Sequence, residues 1–217
     1  MPQRTRSRTN ARDALITAAI DHLSRLGPAA VQPQEICREL GISKALVNYH
    51  FGTREGLIAE AMVAGYEQYV LDLMAAADAA GTDPVDRLMA WIDRQVEWTS
   101  EHRGLAAALD FPDVALATPL DPESELFARL NEAGARNFAN LQLLVLDARA
   151  HLKRDDPTYA PDATELGLTS AVIGWVTLGL AVWVGGNHLP TQRPSMRNML
   201  PVAREHVRTL LVELLSR

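Results

Sequence analysis

The sequence predicts an all-α protein in two parts, an N-terminal three-helix head and a larger C-terminal helical body. Three observations carry that expectation. Helix starts recur as Asp83-Pro84, Asp121-Pro122 and Asp162 with Glu165 three residues on. Each offers a capping carboxylate, with a proline at the first helical position or an acidic residue completing a capping box. No alternating apolar and polar run is long enough for a strand. Charge is unevenly divided: within the overall −6, residues 1 to 54 hold eight Arg and Lys against four Asp and Glu, a surplus of four that leaves −10 for the rest.

Composition bounds the class of protein. At 217 residues, with 47% hydrophobic and 22% charged side chains, the chain can bury a full core and reads as soluble and globular. The single cysteine, Cys37, excludes an internal disulfide framework and a four-thiolate metal site, and suits a reducing, cytoplasmic setting. No long apolar run follows the basic N-terminus, so no secretion signal is expected.

Arg4, Arg6, Arg8 and Arg12 form a basic arm, suited to phosphates or a minor groove, or else a solvated tail. From about Thr9 to Leu26, Leu15, Ala18, Ala19, His22, Leu23 and Leu26 fall at helical spacing, and Gly27-Pro28 ends that helix. His22 there reads as a core or helix-contact residue. Pro33 suits the first position of a second helix, with Gln32 a poor cap before it. Ile36 and Leu40 share one face of this helix and Gly41 stops it. Ser43 can cap a third helix whose apolar stripe is Val47 and Phe51, while Lys44, Ala45, Asn48 and Tyr49 point elsewhere. Such a helix, apolar on one side and small, polar and aromatic on the other, suits a DNA major groove.

Thr53 can cap a fourth helix running to about Ala80, one rod shared by head and body. Further helices are expected near 84–102, 104–110, 122–154, 163–186 and from Met199 to Leu215. On the helix near 84–102, Trp91, Gln95, Trp98 and His102 lie beside the core stripe Leu88, Ile92, Val96 and Thr99. Aromatics interleaved with hydrogen-bonding groups can line a ligand cavity or be plain core. Phe111, Phe138 and Trp175 are further candidate wall residues.

From Leu166 to His188 there is no Asp, Glu, Lys or Arg, a run long enough to cross a bilayer. Five glycines between 167 and 186, and the lack of flanking basic clusters, favour a helix buried on every side in soluble protein, with no membrane. Gly167, Ala171, Gly174 and Leu178, with Leu200, Ala203, Val207, Leu210 and Leu214 of the last helix, form the natural surface for a homodimer, two helices from each subunit making a bundle.

Gly41-Ile-Ser-Lys44, Tyr49-His-Phe51 and Arg54-Glu-Gly-Leu57 together resemble the helix-turn-helix signature of the TetR family of transcriptional regulators, over roughly residues 10 to 60. The resemblance implies a head at 1–54, a body at 55–217, a near-palindromic double-stranded operator, and a small-molecule effector that releases the protein from DNA. The DNA-binding residues it points to are Arg4, Arg6, Arg8, Gln32, Gln34, Ser43, Lys44, Ala45, Leu46, Asn48, Tyr49, His50 and Arg54. Within the motif, Gln32 stands where the family usually has threonine, Cys37 where it prefers alanine, Leu46 in place of a common threonine and Asn48 in place of a tyrosine. Asn48 can pair with adenine or bond a phosphate. The rival readings are an all-α small-molecule enzyme and a membrane-associated regulator. No paired carboxylates, HExxH, phosphate loop or positioned nucleophile supports an enzyme, and the six histidines show no close metal-ligand spacing. No cofactor is expected.

Overall fold

A computed structural model describes residues 3–110, 116, 120–185 and 200–216, with side chains described for 11–109, 116, 120–181 and 204–216. The described residues form nine α-helices and no strand: α1 Gln3–Leu26, α2 Pro33–Leu40, α3 Ala45–Phe51, α4 Arg54–Ala79, α5 Pro84–Glu101, α6 Arg103–Asp110, α7 Glu125–Leu152, α8 Ala163–Gly185 and α9 Leu200–Ser216, with a short 3-10 turn at Pro28–Ala30. The chain divides into two compact units, residues 1–68 with 101–132, and residues 69–100 with 133–217.

Local chemistry starts most helices where expected. Thr53 Oγ1 accepts from Gly56 N at 3.0 Å at the head of α4, and Asp83 Oδ1 accepts from Val85 N and Asp86 N at 2.9 and 3.0 Å at the head of α5. Asp162 Oδ1 accepts from Glu165 N at 2.8 Å in front of α8. Bonding to these amides holds the Asp83 carboxyl below the usual carboxylate range, Asp86 N contributing most. Two starts differ from expectation. The helix expected from residue 122 begins at Glu125, because Asp121 spends its carboxylate on a turn through Glu123 N, and Ser124 Oγ caps Phe127 N at 3.2 Å. α1 begins at Gln3, six residues before Thr9, since no Gly or Pro interrupts residues 3 to 12.

In the first unit α1 is the hub, packing against α6, α2 and α3. Leu15, Ala19 and Leu23 are fully buried, with Ile36, Val47, Leu57 and Leu105 supplying other parts of this core. Each such leucine contributes about 1.5–3 kcal/mol by leaving water. Leu26, expected on the same stripe, is exposed at the helix end. Gly104 of α6 makes the tight approach possible: a Cβ there would lie 2.1 Å from the Leu23 carbonyl oxygen and 2.5 Å from Gly27 N.

In the second unit, Leu73 of α4, Leu88, Trp91 and Ile92 of α5, Leu144 and Val145 of α7 and Ile173 and Ala181 of α8 are all buried. Arg149, itself buried, bonds Glu165 at 2.6 Å and ties α7 to α8. A Cβ at Gly174 would lie 3.4 Å from Leu141 Cδ2, an ordinary contact distance, so this side of α8 faces α7 of its own chain. α9 packs on α8 and is latched to α5 by Arg204 on Asp93 and by Arg208 on Asp86.

The expectation that the apolar helix is buried on every side is corrected. Within Ala163–Ala181 only Ser170, Ile173, Thr177 and Ala181 are buried, and Leu168, Val172, Trp175 and Val176 stand exposed along one side. Facing three and four residues apart, they are a single stripe of α8.

Candidate nucleic-acid interface

Gly41 sets the turn between α2 and α3. It takes φ 65° and ψ 30°, the left-handed conformation that a Cβ disfavours, and brings Ile42 N to the Cys37 carbonyl at 2.9 Å. Pro33, Ile36 and Cys37 of α2 are buried; burial pushes the Cys37 thiol above its ordinary value, which suits a packing residue. Gln32 caps α2 through its carbonyl alone, its side chain making no capping bond. Ser43 Oγ accepts from Ala45 N at 3.3 Å, opening α3.

α3 then has two sides. Val47 is 2% exposed and forms the packed side. Ser43, Lys44, Ala45, Asn48 and Tyr49 are exposed, as are Gln32 and Gln34 at the start of α2, while Leu46 and His50 are half-buried. Tyr49, 65% exposed, meets the His50 ring edge-on at 4.9 Å between centroids. Seven helical residues span roughly 10 Å, which fits a major groove about 12 Å wide.

Each nitrogen of the Arg54 guanidinium is engaged inside the head: Nε donates to the Val31 carbonyl at 2.8 Å, NH2 to Pro28 and Ala29 at 2.5 and 3.3 Å, and NH1 meets Glu55 at 3.3 Å. That bonding braces the 3-10 turn. His22, 3% exposed, bonds Glu39 of α2 through Nε2 at 2.9 Å. Arg4, Arg6 and Arg8 lie on the helical backbone of α1, and their side chains fall outside the described residues.

The candidate ligand residues separate. Trp91, Gln95 and Trp98 form one buried stripe of α5 in the second unit, with the Tyr69 ring tilted at 58° against Trp98, 4.7 Å between centroids. The indole N–H of Trp91 and Oε1 of Gln95 are buried without a protein partner. His102 belongs to the first unit. Phe111 lies outside the described residues. Phe138 and Trp175, 40% and 72% exposed, line no interior in the single chain.

Of the candidate association residues, Leu178 and Leu210 are exposed, 39% and 64%. Gly167, Ala171, Gly174, Val207 and Leu214 are half-buried, and the side chains of Leu200 and Ala203 fall outside the described residues. Val172, Ile173, Val176 and Thr177 of α8 face Val207, Leu210, Leu211 and Leu214 of α9 across an apolar groove. Sequence reasoning missed Leu168, Val172, Trp175 and Val176 as an outward stripe, because a helix apolar all round has no polar side to mark the outside. Among the described residues no group of His, Cys, Asp and Glu is arranged to hold a metal.

Comparison with known proteins agrees with this geometry. Residues 15–61 match the family model "Bacterial regulatory proteins, tetR family". Among solved structures, a tetR-family transcriptional regulator from Streptomyces coelicolor aligns at TM-score 0.63 and 20% identity over 95% of this chain and 79% of that one. A protein of unknown function from Rhodococcus sp. RHA1 aligns at TM-score 0.67 and 20% identity, covering 93% and 95% of the two chains. The TetR-family transcriptional regulator PfmR from Thermus thermophilus aligns at TM-score 0.57 and 18% identity over 93% and 96%. No curated protein matches the chain. Residues 15–61 thus resemble the tetR family of bacterial regulatory proteins, and the fold, over nearly the whole chain, is that of solved TetR-family regulators.

Proposed function

We propose that the protein is a non-enzymatic, homodimeric transcriptional regulator that binds a near-palindromic double-stranded operator and is released from it by a small molecule. The observation that carries this reading is the outward face of α3, where Lys44, Ala45, Asn48 and Tyr49 stand exposed on a helix anchored by Val47. Two such helices in successive major grooves require half-sites about 34–36 Å apart. Lys44 and Tyr49 grip the backbone, Ala45, Leu46 and Asn48 read bases, and the arm of Arg4, Arg6 and Arg8 adds phosphate or minor-groove contacts. The head is residues 1–54 and the effector-binding and association domain is 55–217. The buried stripe of Trp91, Gln95 and Trp98 supports an effector site, since its two unpartnered polar atoms would gain hydrogen bonds from a ligand.

The test is anisotropy titration of a fluorescein-labelled duplex from the gene's own upstream region. Tyr49→Ala should weaken binding about tenfold or more, one good contact contributing roughly 1–3 kcal/mol, with circular dichroism unchanged because the ring is exposed. Equal affinity for wild type and variant would remove α3 from the interface.

A further inference from the structure

A chain of charged contacts within the first unit runs from α7 to the end of α3. Arg129 of α7 grips Glu67 of α4 with both ends of its fork, Nε to Oε1 at 3.0 Å and NH2 to Oε2 at 2.8 Å. Its third nitrogen, NH1, reaches Oε2 of Glu60 at 3.1 Å. The other oxygen of Glu60 takes NH2 of Arg12 on α1 at 2.5 Å. The Arg12 guanidinium carbon in turn sits 5.7 Å from the centroid of the Phe51 ring, the last residue of α3. Glu60 is 17% exposed at its side chain and Arg129 29%. Partial burial and the bidentate fork lift these pairs above the near-zero contribution of exposed ion pairs. The two carboxylates raise the Arg129 pKa further above its ordinary value, with the Glu67 hydrogen bond the largest cause.

Nothing about DNA contact calls for this arrangement. Arg129 is 78 positions beyond Phe51 in sequence, and α7 is one helix from Glu125 to Leu152 whose residues from Ala133 onward belong to the second unit. Glu60 is the joint: one oxygen answers to α7 and the other to α1, so the position of Arg129 biases the position of Arg12. A cation over an aromatic face is attracted by the ring quadrupole, and Arg12 therefore bears on the tilt of α3.

We infer that Glu60 and Arg129 are positioning residues that couple α7 to the reading helix through Arg12 and Phe51. The inference rests on the DNA-binding role of α3. It requires two readouts, because physical adjacency alone does not demonstrate coupling. The first is hydrogen exchange of α3 amides in the full-length protein without DNA; the second is affinity for the labelled upstream duplex. Arg129→Met should speed α3 exchange and weaken DNA binding roughly 3- to 10-fold, in the range of coupling changes seen for residues that touch no ligand. In a Glu60→Gln background the same Arg129→Met change should leave both readouts where Glu60→Gln alone put them, since the joint is already cut. A role confined to general stability predicts equal effects in both backgrounds, and that result, or unchanged α3 exchange in Arg129→Met, overturns the inference. If α3 exchange responds as expected while wild type shows no affinity for the duplex, the coupling stands and the DNA-binding reading fails.

Discussion

The outer faces of α3 and α8 are both exposed in the single chain, and they differ in almost every physical respect. On α3 the uncovered residues include Lys44, Asn48 and Tyr49; on α8 they are Leu168, Val172, Trp175 and Val176. Water satisfies the first set at little cost, so α3 can wait for a polyanion. The second set is driven out of water at about 25 cal/mol per Å², so α8 has reason to be covered at all times. A polar face thus suits reversible contact, and an apolar one suits a permanent partner.

Putting charge on α8 is the strongest way to break that contrast. Trp175→Glu should raise the dissociation constant of the proposed homodimer about 30-fold or more, a central aromatic in an interface contributing roughly 2 kcal/mol or above. Sedimentation equilibrium reads the change directly. Because Trp175 is 72% exposed, circular dichroism of the separated chain should match wild type. A variant that stays dimeric at the same concentrations would show that another surface carries association. Recovery of wild-type protein in the detergent phase alone would instead assign the stripe to lipid.

The α3 face has a different weak point, the platform beneath it. Gly104→Ala would set a methyl group 2.1 Å from the Leu23 carbonyl and 2.7 Å from Gly27 Cα, backbone atoms that cannot turn aside as a side chain would. The expected loss is about 3 kcal/mol, the upper end of ordinary overpacking. Urea unfolding would report it as a lower midpoint. A midpoint equal to wild type would mean that α1 and α6 are less closely apposed than the geometry requires.

How much of this was legible in the sequence depends on how local each interaction is. Thr53, Asp83 and Asp162 announced helix starts because each bonds an amide two or three residues ahead. The Gly41 turn and the two-sided character of α3 were readable for the same reason. Asp121 misled by three residues, since Ser124 offered a competing cap that periodicity does not rank. Gly104 carried no signal at all: its meaning is Leu23, 81 positions earlier. Arg129, Glu60 and Arg12 are likewise ordinary charged residues until three helices bring them together. On α8 the sequence showed an apolar helix, yet only the fold determines which apolar stripe turns inward.

The smallest effect expected concerns how α1 holds α2, the helix behind the reading face. The His22 ring donates from Nε2 to the exposed Glu39 carboxylate at 2.9 Å, and this bond, the first of several causes, holds the Glu39 pKa below its ordinary value of 4.5. A carboxylate whose pKa is lowered by folding adds stability that is complete above its unfolded pKa and fades as pH falls through the folded value. Wild type should therefore melt slightly above Glu39→Gln at pH 7, with the gap closing below pH 4.5 as Glu39 takes up its proton. Gln can still accept from His22, so what the comparison isolates is the charge on the acceptor. A gap that stayed constant down to acid pH would mean that Glu39 holds α2 by packing alone, and that the head owes its geometry to Leu23, Ile36 and Val47 rather than to this bond.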